Sequence, residues 1–567
     1  MGRRRTERES RFAAVSLKVV IIGGVAGGMS AATRLRRLLE DAEIVVFEQG
    51  EHVSFANCGL PYHVGEVIPD ESSLLLQTPE SLASRFNLDV RVRSRVTEID
   101  RAGRRVRVVS GGSSSEYWES YDKLIISTGA KTRTLQIPGI ERALELRDVS
   151  DAAAIKKLVD SGLVKTAAII GAGFIGIELA ENMARRGVKT QIVEFQKQIL
   201  PVFDPEMIEP MQGLLEEHGI GLQLGSTVAE ISNAEITLAD GRMFAADLVI
   251  AAPGVVADNE LAVAAGLEVG QQGGIVVDDQ QRTSDEHIFA VGDVAEKTSK
   301  FTGESQMVWL ANLANRHGRL VADVIAGLGS RREPAQATGI IGAFGLTAAL
   351  TGVTEQLAQR LGIKYRVIHL HPGSHAGYFP GSERMSLKIV FESESGKLLG
   401  AQGIGRDGVD KRIDVLSTAI FAGLTAGDLM DLELAYAPAY GSAKDAINQA
   451  GYLAENVLTS RTELVQWHEL EAAVAAGATV VDVRTAEENA RSAIPGSVNI
   501  PVDELRSRWH ELKGKDVIVH CAVGQRGHTA IQLLKAKGVR ARNLDGGFVT
   551  WQSGFDARRR LVINQLN

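Results

Sequence analysis

Cysteine is scarce in this chain: only two occur among 567 residues, one in "SFANCGLPYH" and the other in "VIVHCAVGQRGH". Two thiols separated by most of the sequence are not expected to form the disulfide framework that staples small secreted domains. A low cysteine content is typical of proteins in a reducing compartment, where a thiol is retained for its reactivity. We therefore predict a cytoplasmic protein and treat Cys58 and Cys521 as candidate reactive residues.

Long apolar runs and long basic runs are also missing. No apolar stretch is long enough to span a bilayer, and the amino-terminal "MGRRRTERESRFAAVSLKVV" lacks the apolar core of a secretory signal. The formal net charge of −8 disfavours nucleic acid and anionic membranes as partners. With 44% hydrophobic and 23% charged residues, the chain is expected to form several globular domains that act on small molecules.

Glycine, by contrast, is abundant, and a glycine-rich turn joins an apolar strand to a helix in "KVVIIGGVAGGMSAATRLRRLLEDAEIVVFEQG". This order predicts a βαβ unit that binds a dinucleotide, with the pyrophosphate at the start of the helix. Gly23, Gly24 and Gly28 serve the turn and the close approach of the backbone, although Val25 replaces the central glycine of GxGxxG. Glu48 ends the second strand and is expected to bind a ribose hydroxyl.

A second copy of this unit reads "TAAIIGAGFIGIELAENMARRGVKTQIVEF", with the complete GxGxxG at Gly171, Gly173 and Gly176. The strand that follows ends at Glu194, a carboxylate that binds a free 2′-hydroxyl and repels a 2′-phosphate. NADH is therefore favoured over NADPH, although Lys197 nearby leaves NADPH open.

Each copy is followed by another apolar strand that ends in small residues, "YDKLIISTGA" and "ADLVIAAPGV". Thr128 and Gly129 lie at the first of these strand ends. A later apolar run, "TSDEHIFAVGD", ends at Gly292 and Asp293, where a carboxylate at a strand end can meet a polyol or a ribose. A simple turn cap is the alternative for Asp293.

These ordered motifs resemble the FAD- and NAD(P)H-dependent pyridine nucleotide disulfide oxidoreductases. The resemblance implies an α/β fold with two Rossmann-like dinucleotide-binding domains, followed by an α+β dimerisation domain. The FAD-binding domain would be discontinuous, at residues 1–145 and 271–335, and the NAD(P)H-binding domain would occupy residues 146–270. In that family Asp293 would contact the flavin ribityl chain, and Glu178 would lie near the nicotinamide and the flavin, with a surface carboxylate as the alternative.

Most members of that family carry a closely spaced pair of cysteines, whereas Cys58 stands alone between Asn57 and Gly59. It resembles the single-cysteine branch, above all coenzyme A disulfide reductase, in which the substrate thiol replaces the second cysteine. The nucleophile must be a thiolate, and a free thiol has a pKa of about 8.5. The predicted helix start after Cys58 and a nearby flavin are expected to lower that pKa. An inert buried cysteine is the alternative.

The same branch implies a pocket for coenzyme A. Ser54 and Asn57 would line this pocket. Basic side chains would hold the phosphates of coenzyme A, with solvated surface charges as the alternative; the candidates by position are Arg34, Arg37, Arg85 and Lys444.

Residues 336–455 contain two strands around a glycine hairpin and a helix near "KRIDVLSTAIFAGLT", and they resemble the dimerisation domain of the family. The branch brings two tyrosines across a homodimer interface to the cysteine. "HAGYFPG" and "AYAPAYGSAKDAINQA" match those motifs, which points to Tyr378 and Tyr436 as proton donors. Tyr440 and ordinary aromatic packing are the alternatives, and Phe379 stands where relatives often have a second tyrosine.

The last part of the chain, residues 463–560, contains "DVR", "IPGSVNIP" and "CAVGQR" in this order and resembles a single α/β rhodanese domain. Cys521 ends an apolar strand and opens a short loop to Arg526, in which backbone N–H groups can converge on a thiolate or persulfide. The short loop suits a sulfur substrate better than a phosphate. Arg526 would stiffen the loop or bind an anionic sulfur donor.

Together these motifs predict an FAD- and NADH-dependent reductase of coenzyme A persulfide, coenzyme A disulfide and polysulfide, with no metal site. Cys58 would be the nucleophile, and Cys521 would carry sulfane sulfur. One alternative is an NADH oxidase or peroxidase with a sulfenic acid at Cys58; such enzymes usually carry a histidine that "GGVAGGMSAA" lacks. The other alternative is a redox-responsive sulfur carrier.

Overall fold

The computed structural model describes residues 17–111, 115–329 and 333–566. Three parts of the predicted FAD-binding domain therefore lie outside the described residues: 1–16, which form the basic start of the chain, 112–114 and 330–332. Four larger sheets organise the described ranges. No helix within these ranges combines the length and the apolar character needed to cross a membrane.

The first sheet is parallel, and its apolar side chains alternate between two covered faces. Helices Ala26–Leu38 and Ala311–Ile325 pack on one face, and a three-stranded antiparallel meander packs on the other. In spatial order the strands of the sheet are Ile288–Ala290, Lys123–Ile126, Lys18–Ile22, Glu43–Phe47 and Asp89–Arg91. The meander consists of Ser94–Asp100, Arg105–Ser110 and Ser115–Ser120.

The second sheet repeats this plan, as the duplicated glycine motif predicts. One face carries three helices and the other a second antiparallel meander. The parallel strands, in order, are Gly221–Leu224, Lys189–Glu194, Thr166–Ile170 and Leu248–Ala251. The helices are Val149–Asp160, Phe174–Arg185 and Pro205–Glu217. The meander strands are Val228–Ile231, Glu235–Leu238 and Met243–Ala245.

The third sheet is antiparallel and packs against two helices, Val409–Ala422 and Ala446–Leu458. The predicted hairpin and the predicted helix of this region are both confirmed. The strands, in order, are Gly339–Ala343, Leu346–Gly352, Leu398–Gly405, Met385–Glu392 and Tyr365–Leu370.

The fourth sheet is parallel and forms the C-terminal domain. Its strands, in order, are Leu464–Val465, Arg540–Leu544, Asp516–His520, Thr479–Asp482 and Val498–Asn499. The helices of this domain are Leu470–Ala475, Ala486–Arg491, Leu505–Arg508, Gln525–Ala536 and Gly547–Leu566.

Short elements connect the larger units. Strands Ala130–Thr132 and Val255–Ala257 pair between the first and second domains. A second short pair joins Lys297–Thr298 to Ser305–Gln306. The remaining short helices are Leu60–Val64, Pro79–Phe86, Glu260–Ala264 and Glu355–Arg360.

A buried ion cluster joins the second domain to the antiparallel sheet. Lys388, which is fully buried, places its Nζ 2.8 Å from Asp204 and 2.6 Å from Glu355, and it also pairs with Glu206. The three carboxylates are close enough together to be metal ligands. Because the ammonium group of Lys388 contacts all three, it supplies the positive charge that a cation would bring.

Candidate active site

One large cavity, of about 1940 Å³, runs between the first and second sheets. It reaches both glycine loops and the cysteine segment, so residues from distant parts of the sequence face the same space. Among the predicted site residues, it is lined by Gly23, Glu48, Asn57, Cys58, Thr128, Gly129, Gly171, Gly173, Glu178, Glu194, Gly292 and Asp293.

The two glycine loops share two backbone features. Gly23 and Gly171 adopt φ of +101° and +114°, a region that favours glycine. A Cβ atom on Gly28 would lie 1.9 Å from the carbonyl oxygen of Gly23, and one on Gly176 would lie 2.1 Å from that of Gly171. Glycine is therefore required where each helix packs onto its own loop.

The acidic residues at the strand ends also repeat. Gly24 donates its N–H to Oε2 of Glu48 at 2.8 Å, and Ala172 donates to Oε2 of Glu194 at 2.7 Å. The other oxygens accept N–H groups from Gly50 and Gln196. A carboxylate has further lone pairs, so both side chains keep the capacity to bind a ribose hydroxyl. Burial raises the pKa of Glu48.

The glycine loops fit the pyrophosphate groups of two dinucleotides. Helices Ala26–Leu38 and Phe174–Arg185 begin at these loops without an acidic residue in the first turn and without a side-chain cap, so their first N–H groups are left for an anion. No atom lies within 4 Å of the position that a Cβ on Gly173 would take. Ligand atoms can therefore approach the backbone there.

Asp293 and Thr128 border the same cavity from two strand ends. Asp293 lies in a short helical turn, Gly292–Val294, directly after a strand of the first sheet. Burial raises its pKa. Thr128 donates its hydroxyl to the carbonyl of Asp258 at 2.7 Å, which anchors the turn at Gly129. These positions suit contacts to the polyol and ring parts of a flavin dinucleotide.

Cys58 lies in a helical turn, Asn57–Gly59, directly before helix Leu60–Val64, which confirms the predicted helix start. The thiol is accessible from the cavity. Partial burial raises the pKa of Cys58, and the carboxylates of Glu178 and Asp293 raise it further. Burial and these two carboxylates therefore act against the lowering of the pKa that the sequence analysis expects from the helix start and a nearby flavin.

A tyrosine that was not predicted from the sequence contacts one residue of this cavity. Tyr62, on the helix that follows Cys58, donates its hydroxyl to Oε1 of Glu178 at 3.0 Å. Burial, opposed by this hydrogen bond, raises the pKa of Glu178. The spacing of one helical turn between Cys58 and Tyr62 was the available sequence signal.

Two of the three arginines chosen by position have other partners. Arg34 forms an ion pair with Asp323 at 2.7 Å. Arg37 donates to the carbonyl of Thr33 and stacks over Phe86. Arg85 is exposed. None of the three lines the cavity of Cys58, and their role toward coenzyme A stays a prediction.

Two residues near the cysteine differ in placement. Asn57 lines the cavity, whereas Ser54 does not. Ser54 has a φ of +51° and donates its N–H to the carbonyl of Gly24 at 2.8 Å. It therefore ties the cysteine segment to the first glycine loop.

The two predicted tyrosines meet in the folded chain. The hydroxyls of Tyr378 and Tyr436 lie 2.9 Å apart, and this hydrogen bond raises the pKa of Tyr378. Both side chains are largely exposed. They do not line the cavity of Cys58 in the same chain, and Lys444, close to them in sequence, is exposed as well.

Cys521 occupies the loop between strand Asp516–His520 and helix Gln525–Ala536. Its side chain is buried. Both terminal nitrogens of Arg526 donate to Glu488 at 2.7 Å. This ion pair raises the pKa of Arg526, and Cys521 makes a smaller contribution in the same direction. Glu488, whose pKa Arg526 lowers to about 2, was not expected from the sequence.

Three family models match the chain in the predicted order. The pyridine nucleotide-disulphide oxidoreductase model matches residues 17–318, its dimerisation domain matches residues 342–447, and a rhodanese-like domain matches residues 466–554. The chain belongs to the pyridine nucleotide-disulphide oxidoreductase family. The division of its first part into FAD- and NAD(P)H-binding domains at the predicted boundaries stays a prediction.

Individual relatives cover between 77% and 96% of the chain. The coenzyme A disulfide reductase of Staphylococcus aureus (strain bovine RF122 / ET3-1) is 32% identical over 77% of this chain and 100% of its own length. The crystal structure of reduced Bacillus anthracis CoADR-RHD has a TM-score of 0.94 and 43% identity, covering 96% of this chain and 99% of that one. The NAD-dependent persulfide reductase from A. fulgidus has a TM-score of 0.88 and 35% identity, covering 94% and 100%.

Proposed function

We propose that the protein is an FAD- and NADH-dependent reductase of coenzyme A persulfide, coenzyme A disulfide and polysulfide. One observation carries this proposal: a single cysteine, Cys58, lies in the same cavity as both dinucleotide loops. The second cysteine, Cys521, belongs to the C-terminal domain. A thiol of the substrate therefore has to serve as the partner of Cys58. The likeness to the coenzyme A disulfide and persulfide reductases favours this function over an NADH oxidase and over a sulfur carrier.

The reaction of a coenzyme A persulfide illustrates the role of Cys58. The Cys58 thiolate attacks the sulfur that is bonded to carbon, which forms a Cys58–coenzyme A disulfide and releases hydrosulfide. The hydride of NADH then reduces this disulfide, which regenerates the thiolate and releases coenzyme A as a thiol. A flavin held by the first glycine loop, Glu48 and Asp293 would supply the route for the electron pair between nicotinamide and sulfur.

The chain's own groups prepare this site. The glycine loops and the acidic residues Glu48 and Glu194 would hold the two dinucleotides, and Asp293 would contact the flavin side chain. NADH is the proposed reductant because Glu194 would repel a 2′-phosphate. Asn57 would contact coenzyme A beside the cysteine.

We propose a homodimer in the cytoplasm. The Tyr378–Tyr436 pair is exposed and does not line the cavity of its own chain, so it is available to the cysteine site of a second subunit. A phenol in that position would give a proton to the departing sulfur. The C-terminal domain would present sulfane sulfur on Cys521, with Arg526 holding the loop through Glu488.

Anaerobic assays of NADH oxidation with coenzyme A persulfide, coenzyme A disulfide and polysulfide in parallel test this function. Cys58→Ser is expected to abolish turnover of all three substrates. Cys521→Ser is expected to retain coenzyme A disulfide reduction and to lose most polysulfide turnover. Unchanged NADH oxidation in Cys58→Ser would overturn the proposal, and unchanged polysulfide turnover in Cys521→Ser would remove the role of the C-terminal domain.

A further inference from the structure

A bidentate ion pair binds the end of the Cys521 loop to a neighbouring helix. Arg526 is the second residue of helix Gln525–Ala536, which begins where this loop ends. Its two terminal nitrogens donate to the two carboxylate oxygens of Glu488, each at 2.7 Å. Glu488 belongs to helix Ala486–Arg491 of the same domain. A carboxylate of the chain itself therefore matches the charge of the loop arginine.

Glu488 is also fixed by its own helix. Its N–H donates to Oγ1 of Thr485 at 3.2 Å, and its Oε2 accepts the N–H of Thr485 at 3.0 Å. This reciprocal pair of hydrogen bonds is a capping box. Two independent sets of contacts therefore hold the carboxylate beside Arg526, and the side chain cannot leave the arginine without also uncapping its helix.

A second arginine near the loop is neutralised in the same way. The guanidinium of Arg484 lies 4.3 Å from the ring centroid of Phe548, whose N–H binds the carbonyl of Cys521. Arg484 donates to Asp482 at 2.7 Å, and both side chains are buried. The loop residues between Cys521 and Arg526 are uncharged. Each of these two arginines is therefore already paired with a carboxylate.

The loop is suited to one negative charge on the sulfur. Helix Gln525–Ala536 begins without a side-chain cap and without an acidic residue in its first turn, so its first N–H groups are left for an anion. A thiolate or a persulfide on Cys521 carries one such charge. A donor with a second, concentrated charge would bring it close to the carboxylate of Glu488, which repels it.

We propose that Glu488 determines the class of sulfur donor, so that Cys521 accepts sulfane sulfur from organic persulfides and discriminates against thiosulfate. The sequence left two roles open for Arg526, and the ion pair favours stiffening of the loop over binding of an anionic donor. This inference rests on the proposed role of Cys521 as a sulfur carrier and adds the chemistry of the donor.

The leaving groups of the two donors explain the discrimination. With an organic persulfide, the thiolate of Cys521 attacks the outer sulfur, the bond between Cys521 and that sulfur forms, and the sulfur–sulfur bond of the donor breaks. The electron pair of the broken bond leaves with the donor as a thiolate, which takes a proton from water. The same attack on thiosulfate releases sulfite, a dianion that has no unpaired arginine here to stabilise it.

The test is the rate at which each donor loads Cys521 in the full-length holoenzyme under anaerobic conditions. The donors are glutathione persulfide and thiosulfate, and mass spectrometry of the peptide of Cys521 measures the persulfide. Glu488→Gln retains the capping box and one acceptor for Arg526 but removes the charge. It should raise the rate constant for thiosulfate by roughly threefold to tenfold, and the gain should shrink at high ionic strength. The rate with glutathione persulfide should stay close to that of the wild type.

Glu487→Gln is the matched control, because it removes the same charge from an exposed neighbour and leaves the ion pair intact. It should leave both rates unchanged. An unchanged thiosulfate rate in Glu488→Gln, an equal gain for both donors, or a wild type that prefers thiosulfate would overturn the inference. These outcomes would not affect the proposed reductase function, which depends on NADH oxidation in Cys58→Ser. Failure of both donors to load Cys521 would contradict this inference together with the role of Cys521 as a carrier.

Discussion

Nδ1 of His369 lies 2.7 Å from Oδ2 of Asp545, and this buried contact joins the antiparallel sheet to the C-terminal domain. Nε2 of the same imidazole lies 3.2 Å from Glu206 of the second domain. Asp545 begins the segment in which Phe548 donates its N–H to the carbonyl of Cys521 at 2.8 Å. The contact therefore ties the position of the Cys521 loop to the rest of the chain.

His369 is expected to make stability depend on pH. Burial would lower the pKa of its imidazole, but Asp545 and Glu206 overcome this effect and raise it to about 9. Because the unfolded value is about 6.5, the stabilisation is complete below that pH and is lost as the pH rises through 9. His369→Gln should lower the free energy of unfolding by on the order of 3 kcal/mol at pH 6. This difference in stability from the wild type should become smaller by pH 9.5.

Differential scanning calorimetry across this pH range measures the effect. His510→Gln, at an exposed histidine of the C-terminal domain to which Asp545 belongs, is the control and should not change the melting temperature. A difference between His369→Gln and the wild type that stays constant from pH 6 to pH 9.5 would contradict the expected titration.

Removal of the positive charge of Lys388 should strongly destabilise the folded protein. Although burial raises the pKa of Glu206, Lys388 and His369 lower it overall. Lys388→Met leaves Asp204, Glu206 and Glu355 without that ammonium group, and the expected loss is about 3–5 kcal/mol at neutral pH. Thermal unfolding at pH 7 should show this loss of stability as a lower melting temperature of Lys388→Met.

Lys364→Met provides the comparison, because Lys364 and its partner Glu394 are both 82% exposed. A surface pair of this kind contributes roughly 0–1 kcal/mol. Equal melting temperatures for the two variants would show that the buried cluster does not stabilise the junction of the domains.

A glycine beside Cys521 should be required for the shape of its loop. Gly547 has a φ of +64°, and a Cβ atom on it would lie 2.5 Å from the carbonyl oxygen of Cys521. Gly538 has a φ of +75° with nothing within 4 Å of such an atom. Alanine at either position should cost about 1–2 kcal/mol of backbone strain, but only Gly547→Ala should disturb the loop.

Hydrogen exchange of a peptide that covers residues 516–526 distinguishes the two variants. Gly547→Ala should show faster hydrogen exchange in this peptide and should lose the transfer of sulfane sulfur to cyanide. Gly538→Ala should stay close to the wild type in both measurements. Matching behaviour of the two variants would mean that strain alone, and not the close approach to Cys521, explains the effect.

Local sequence was enough to predict the parts of the site that a short segment builds by itself. Each glycine loop and the acidic strand end that it binds lie within one βαβ unit, so Gly23 with Glu48, and Gly171 with Glu194, could be predicted together. The helix start after Cys58 followed in the same way. The tyrosine pair was selected by family resemblance, and the folded chain brings the two hydroxyls into contact.

The contacts that sequence reasoning missed join distant segments. Tyr62 and Glu178 are 116 positions apart, and His369 and Asp545 are 176 apart. No periodicity or spacing links such residues, because their contact depends on how whole domains pack. The ion pair between Arg34 and Asp323, which are also far apart in the sequence, was not predicted either, and the role of Arg34 toward coenzyme A stays a prediction.

The choice between the two nicotinamide dinucleotides should depend on Glu194. Its carboxylate accepts N–H groups from Ala172 and Gln196 and lines the cavity. A hydrogen bond from a ribose hydroxyl to a charged group is worth about 1.5–3 kcal/mol. Glu194→Ala should therefore raise the KM for NADH by about tenfold to a hundredfold, and it should narrow the preference over NADPH because the repulsion of a 2′-phosphate is removed.

Glu48 offers a matched control, since it holds the same position in the first βαβ unit and makes the same backbone contacts. Glu48→Ala should weaken retention of the flavin during gel filtration and leave the ratio of KM values for NADH and NADPH near that of the wild type. Steady-state kinetics with both dinucleotides, on enzyme saturated with FAD, separates the two effects. If Glu48→Ala changes the dinucleotide preference and Glu194→Ala does not, the assignment of the two units is reversed, because the loop that binds the reductant would then be the first one.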